Sequence, residues 1–424
     1  MGQGSRLAIS EVMKLIQQVG LALGLGFVAS AGEWREFHGP LGNGVAESDG
    51  PSSWTAKEGV AWKVAVPGSG WSTPVFADGQ LVLTSATKEG SNTHLEVMAF
   101  RPEDGKLLWR TVALKPTEAE VAAIHPKNSL ASPTALLADG RVYAHFGHMG
   151  TAALDAKTGK VLWTRKISYK PKHGGACTPI RVNDLLVFSA DGEEKPTLVA
   201  LKADSGEIAW RVERNVEVTN KFSFATPVAA EVDGSMQIIS SASNMVGGYD
   251  PADGRLIWRV DFNGFSVTPK PVVSKGRVFV STGFMTPNLL KIRLEGAKGD
   301  VTQTHVEWEV EKQIPKIPSL VVDEGAIYSV DDTGRVICLD EGTGELKWRS
   351  KLPGNFSASP VLTKSGLLYA PSEDGVFFVM KVSPEGGELV EQIEMGDRLF
   401  ASPVVIDGAI YQRSEGFLWK ITGK

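Results

Sequence analysis

Along most of the chain, apolar residues fall in short runs that alternate with polar ones and are cut off by Gly, Asp and Pro. Ser132-Pro133 leads to a turn at Asp139-Gly140, then to Arg141-Val142-Tyr143-Ala144-His145-Phe146, to Thr151–Asp155 and to Val161-Leu162-Trp163. Short runs rich in β-branched and aromatic residues and bounded by turn signals predict strands, here four to a unit. The unit recurs. A proline after Ser, Thr or Ile stands at Pro74, Pro133, Pro179, Pro227, Pro269, Pro318, Pro360 and Pro403, with spacings of 59, 46, 48, 42, 49, 42 and 43. Periods near 40 to 50 residues belong to propellers or helical arrays, and the strand pattern selects the propeller. Asp-Gly pairs at Asp78-Gly79, Asp139-Gly140, Asp233-Gly234 and Asp407-Gly408 supply the positive φ of tight hairpins.

The fourth strand carries the most regular mark. A glycine stands four residues before a tryptophan at Gly105/Trp109, Gly159/Trp163, Gly206/Trp210, Gly254/Trp258 and Gly344/Trp348. Trp308 takes the same place in unit five without the glycine, and unit seven has Glu391 four residues after Gly387. One such residue per unit serves a repeated structural need, so these tryptophans, with Trp62, are expected to dock neighbouring blades; a sugar-stacking surface is the functional alternative.

The two ends predict how the ring closes. The last unit, Ser402–Lys424, supplies three strands, while Val60-Ala61-Trp62-Lys63-Val64 is a strand without a unit. Joined, they form one blade and remove a pair of open sheet edges. The expected fold is all-β: an eight-bladed antiparallel propeller over residues 59–424, with a seven-bladed ring as the alternative. Ahead of it, Met13-Lys14, the apolar run Val19–Val28 and Ala29-Ser30-Ala31 read as a signal peptide cleaved after Ala31, with Met1–Val12 an upstream extension of the start. Residues 32–58 form a polar, Gly/Pro-rich segment that does not look core-like. No stretch reaches the roughly 20 apolar residues of a membrane helix.

Composition narrows the partners. The 44 basic and 49 acidic residues leave a net charge of -5, which argues against nucleic acid. Two cysteines, Cys177 and Cys338, allow no disulfide scaffold or CxxC zinc cluster and read as buried hydrophobes.

The repeated Asp155-Ala156-Lys157-Thr158-Gly159-Lys160-Val161-Leu162-Trp163 pattern resembles the tryptophan-docking repeat of the pyrroloquinoline quinone (PQQ) enzyme propellers and of the BamB family, which shares their fold without the cofactor. It also resembles exported PQQ-like repeat proteins of planctomycete and verrucomicrobial type through Trp34–Gly44, His125–Ser129, Phe222–Pro227 and Ser281–Phe284. The resemblance implies an eight-bladed quinoprotein-like ring. The quinoprotein dehydrogenases commonly add adjacent bridged cysteines, a calcium site, a catalytic aspartate and long insertions. Here the cysteines lie 161 positions apart and the longest insertion is Leu114–Leu130. No short segment offers a Glu, Asn and Asp oxygen cluster for calcium.

In a propeller, the segments before each first strand and the turns between second and third strands gather on one face around the channel. That map puts His125, Lys127 and Asn128 of the insertion, His145 and His148 of one hairpin, His173, Lys221, Phe222, Asn244, Phe284, Asn355, Phe356 and Arg398 on a candidate ligand-binding face. Arg413 joins the same rim, with Asp331, Asp332, Glu373 and Asp374 across the ring. Three functions fit. The preferred one is a non-catalytic exported propeller, monomeric and periplasmic or extracellular, that binds a protein segment, small molecule or glycan on this face. The second is a PQQ-dependent or other redox enzyme, with calcium. The third is a metal- or His-assisted hydrolase or lyase acting on polysaccharide through His125, His145, His148 and His173.

Overall fold

The computed structural model describes residues 32–122, 124–285 and 287–424. The predicted signal peptide lies outside them. Among the described residues, eight four-stranded antiparallel sheets follow one another along the chain. Blade 1 comprises Val75–Ala77, Gln80–Glu89, Asn92–Phe100 and Leu107–Leu114. Blades 2 to 7 begin at Leu136, Ile180, Val228, Val272, Val321 and Val361. Blade 8 takes Val404–Ile406, Ala409–Arg413 and Phe417–Ile421 from the end of the chain, and Val60–Ala65 completes it by pairing with Phe417–Ile421. The ring is therefore closed inside one sheet, as the orphan strand predicted.

Burial follows position within the blade. Inner strands are covered on both faces by neighbouring sheets, and Leu185–Ser189 is buried throughout; the outermost strand is covered on one, and Val60–Ala65 alternates between exposed and half-buried. The fourth strand of every blade carries a bulge beside the docking position, for example between Val161 and Trp163. The extra residue turns the tryptophan towards the next blade. There the indole lies on a turn glycine and donates to a carbonyl: Trp62 covers Gly105, Trp109 covers Gly159, Trp163 covers Gly206, Trp210 covers Gly254 and Trp308 covers Gly344. The corresponding Nε1 to O distances are 2.9 Å to Pro102, 3.0 Å to Ala156, 3.0 Å to Ala203, 2.8 Å to Pro251 and 3.1 Å to Gly342. Trp348 covers Gly387 and bonds Ser383. A Cβ at Gly206 would stand 2.5 Å from Trp163, and φ there is +70°, so glycine is required twice over. Trp258 departs from the pattern: it is fully buried, donates to Gln237 of its own blade, and its strand is covered by Gly299–Asp300, which pairs with it in parallel.

Residues 32–58 differ from the sequence expectation, because they are woven into the core. Trp34 and Trp54 are each 2% exposed. Trp34 bridges Phe76 of blade 1, Arg35 accepts from Leu137 of blade 2, and Lys270 of blade 5 donates to the Phe37 carbonyl at 3.1 Å. Asn43 then bonds Val322 of blade 6, Val45-Ala46 pairs in parallel with Leu362-Thr363 of blade 7, and the Pro51 carbonyl accepts from Tyr369. In blade 7, which lacks the tryptophan, Ser53 bonds Glu391 and Trp54 packs edge-on against Phe377. The segment reads as a linker by composition because few apolar side chains suffice: its contacts are largely backbone bonds to the first strands.

Candidate functional site

The eight repeat prolines organise the channel. The residue before each one, Thr73, Ser132, Thr178, Thr226, Thr268, Ile317, Ser359 and Ser402, lines a single cavity of about 570 Å³. Proline cannot donate from its own nitrogen and keeps the preceding residue extended, which repeats one backbone geometry at the channel in each unit. Hydroxyls on either side of these prolines also tie blade to blade. Thr73 N–H donates to Thr134 Oγ1 at 3.1 Å, Thr134 to Thr178 at 3.0 Å and Thr178 to Thr226 at 3.0 Å. The Lys270 backbone N–H donates to Ser319 Oγ at 3.0 Å, that of Ser319 to Ser359 Oγ at 2.9 Å and that of Ser359 to Ser402 Oγ at 2.9 Å.

Phe37 also lines the cavity, brought there by the woven N-terminal segment. That segment crosses the ring from blade 2 to blades 5 and 6 at the ends of the first strands, opposite the loops at the mouth, and gives the cavity a floor at Phe37. The cup wall is aromatic over one arc. His125 and His173 meet edge to face at 5.2 Å, His173 meets Phe222 at 5.5 Å, Phe222 meets Phe265 at 5.9 Å, and Phe265 meets Phe284 at 5.8 Å. Trp71 and Phe400 stack at 4.4 Å beside it. Cations lie on these rings: Lys316 Nζ is 5.3 Å from the Phe284 centroid and the Arg398 guanidinium 4.6 Å from that of Phe400. The remaining arc is polar. Lys127 reaches from the insertion to Glu373 of blade 7 at 2.6 Å, and Ser357 donates to the same carboxylate at 2.6 Å. Asp332 accepts from the Lys316 N–H at 2.7 Å, and burial pushes its carboxyl above the usual range.

The insertion is fixed over the mouth. A short helix, Glu118–Val121, starts at a Thr117/Glu120 capping box, and Glu120 pairs with Lys166. Asn128 Nδ2 donates to the carbonyls of His173 at 2.9 Å and Gly175 at 3.2 Å, and Trp71 Nε1 donates to that of Lys127 at 3.2 Å. Burial, then the neighbouring His125, lowers His173 below its ordinary value, which favours a neutral edge.

The predicted face is thus partly assembled. His125, Lys127, Asn128, His173, Phe222 and Phe284 line the cup. Arg398 flanks it over Phe400, Lys221 is half-buried next to Phe222, and the carbonyl of exposed Asn355 accepts from Glu373. Asn244 shapes a turn, with φ +60° and its side chain accepting from Gly264 at 3.3 Å. Four expectations fail for one reason, burial. His145 is 1% exposed, bonded to Thr151 at 2.8 Å and packed on Phe188. His148 bonds the Glu120 carbonyl at 2.9 Å and supports the insertion from beneath. Phe356 packs on Phe378, and Arg413 is enclosed between blades 8 and 1. The four histidines therefore do not converge, and no group of three or more His, Cys, Asp or Glu suited to a metal occurs among the described residues. Burial pushes the Cys177 and Cys338 thiols up to about 12 and about 11, away from reactivity.

Phe37, Trp71, Phe224, Phe265, Phe400 and Lys316 were missed from the sequence. A signal for three of them exists: Trp71, Phe224 and Phe400 each stand three residues before a repeat proline, and Ala176, Ser266 and Ser357 at the same offset also line the cup.

Residues 48–194, 194–313 and 297–390 match the family described as outer membrane protein assembly factor BamB. The BamB of Moranella endobia (strain PCIT) is 25% identical over 290 residues, 65% of this chain and 68% of its own. The crystal structure of BamB from Moraxella catarrhalis superposes with a TM-score of 0.62 at 15% identity, covering 85% of this chain and 96% of that one. A europium-containing methanol dehydrogenase superposes with a TM-score of 0.57 at 13% identity, covering 92% and 91%. Both structural likenesses concern the fold.

Proposed function

The chain belongs to the family of the outer membrane protein assembly factor BamB, and from that membership we propose that it is a non-catalytic binding or scaffold propeller that takes a segment of a protein partner into its cup. The observation that carries this reading is the cup itself, aromatic over one arc with Lys316 and Arg398 on its rings and polar over the other. A pocket of that volume encloses a few residues of an extended chain, and aromatic and arginine side chains are the groups that anchor interfaces. The likeness of Trp34–Gly44 and Phe222–Pro227 to exported repeat proteins supports an exported, periplasmic protein, as does the signal-like Val19–Ala31. Among the described residues, no helix is long and apolar enough to cross a membrane.

A calcium-held quinone suits these residues poorly. Calcium takes six to eight oxygen ligands, commonly with several carboxylates, whereas the cup wall offers mostly hydroxyls, rings and lysines, with Asp332 on it and Glu373 beside it already paired with Lys127. No redox step is assigned.

The test uses the purified chain and a fluorescein-labelled, urea-unfolded outer-membrane β-barrel protein diluted into buffer. Micromolar binding, about -8 kcal/mol, is expected by anisotropy. Phe284→Ala and Arg398→Ala should each weaken it about tenfold, about 1.4 kcal/mol, with unchanged melting. Binding unaffected by both substitutions would move the partner elsewhere. Tight PQQ and calcium uptake with alcohol oxidation would instead establish the dehydrogenase reading.

A further inference from the structure

An arginine follows the docking tryptophan on the fourth strand of four blades, as Arg110, Arg211, Arg259 and Arg349. Three of them are answered by the protein. Arg110 pairs with Glu96 of its own sheet at 2.6 Å, Arg259 with Asp261 at 2.6 Å, and Arg211 donates to the Ser168 carbonyl at 3.4 Å. Arg349 of blade 6 is not: among the described residues neither a carboxylate nor a carbonyl takes its guanidinium. The charges around it are reversed as well. Two residues further along the strand, blades 3 and 4 carry Glu213 and Asp261, whereas blade 6 carries Lys351, and the residue directly opposite Lys351 on the third strand is Arg335. Like charges facing each other across a pair of strands are unfavourable. The Asp331 carboxylate, 3.7 Å from Arg335, already accepts from the backbone N–H groups of Thr333 and Arg335, and Lys351 donates to the Thr333 carbonyl.

Arg335, Arg349 and Lys351 share one side of the sheet with Ile337, which packs with Val272 and Phe279 of blade 5. On that side the chain leaves blade 5, and its Lys312 joins the three cations. The four are exposed and, with Gln313 and Ser350, line an open groove of about 750 Å³ in which no lining residue is acidic. In a chain whose net charge is -5, this groove is a local reversal of sign that attracts anionic groups.

We propose that the groove between blades 5 and 6 is a second docking surface, separate from the cup, for an acidic segment of a partner protein. Its Asp or Glu side chains take the place on Arg349 that Glu96 and Asp261 take on Arg110 and Arg259. The carboxylate that two sibling blades supply themselves is supplied here from outside, and the guanidinium fork matches it bidentately. A groove between two sheets admits an extended chain, whereas a lipid surface would need the cations on a projecting face.

The experiment is fluorescence anisotropy of a labelled peptide of alternating Glu and Ser titrated with the purified chain, with a Lys and Ser peptide as the control. The acidic peptide alone is expected to bind, and to weaken as sodium chloride rises through about 0.15 M. Arg349→Ser combined with Lys351→Ser should weaken it at least about tenfold with unchanged melting. Lys106→Ser combined with Lys160→Ser removes the same charge from exposed positions on blades 1 and 2 and should leave binding within about twofold of wild type. Phe284→Ala, in the cup, should also leave it unchanged, which separates this surface from the one proposed above. Absence of peptide binding, equal weakening in the two double variants, or binding through Arg349 to phosphatidylglycerol vesicles in place of the peptide overturns the proposal.

Discussion

Lowering the pH from 7.5 to 5.5 should loosen this propeller because of two enclosed histidines. Burial first, and the nearby Lys270 second, lower His38 from 6.5 to about 3; burial and then His148 do the same for His145. An imidazole that must stay neutral in the folded state binds its proton more readily when unfolded. Its contribution is intact above 6.5 and is lost as pH falls towards 3. Between pH 7.5 and 5.5 each such histidine removes about 1.4 kcal/mol, together about 2.7 kcal/mol. Asp191 works the other way: burial raises it to about 6, so acid protonates it more readily in the folded state. That returns part of the loss over the same interval, leaving a net loss somewhat below about 2.7 kcal/mol. Urea unfolding at the two pH values measures it. His38→Gln and His145→Gln, which cannot titrate, should each cut the pH dependence by about 1.4 kcal/mol whatever they do to stability at pH 7.5. A double variant with the same pH dependence as wild type would refute the reasoning, since burial of these rings is its sole premise.

Other substitutions separate the roles assigned to the repeats. Trp258→Ala removes a fully buried indole and should cost about 3–5 kcal/mol in chemical unfolding, more than Trp308→Ala, whose ring is half exposed. Ser359→Ala deletes one hydroxyl of the girdle and leaves the Ser319 N–H without its acceptor, at about 1–3 kcal/mol, whereas Ser359→Thr should restore it. Lys127→Ala breaks the pair with Glu373, a partly exposed pair worth about 0–1 kcal/mol, so melting should barely move while the partner's affinity changes.

The ring was legible in the sequence because its physics is repeated. A turn glycine under an indole, a bulge beside it and a proline at the channel are each required in blade after blade, and repetition separates them from chance. Residues 32–58 illustrate the converse. Their role is performed once, largely through backbone bonds and two tryptophans, Trp34 and Trp54, so no second copy exists to expose it. Trp258 stands between the two cases. It keeps the repeat position but receives a different covering because the insertion at Gly299–Asp300 is specific to blade 5.

The candidate face shows where topology stops being informative. Position before a strand or in a turn told which end of the ring a residue occupies, and His125, His173, Phe222 and Phe284 were found that way. It did not tell depth. His145 and Phe356 belong to the correct end and are nevertheless packed between sheets, because a propeller blade is steeply graded from channel to rim and one residue along a strand changes the face it meets. The offset from the repeat proline does carry that information: one residue before it lines the cup in all eight units, and three before it does so in six. Phe37 has no such marker, yet it decides what the channel can do. With Phe37 held by Lys270 and lining the cavity from the side away from the loops, a segment entering from the loop side meets an aromatic ring at the end of the cup. A substitution such as Phe37→Ala should therefore change the affinity of a segment bound in the cup, which anisotropy on the labelled partner would measure, and an unchanged affinity would place the segment away from the floor.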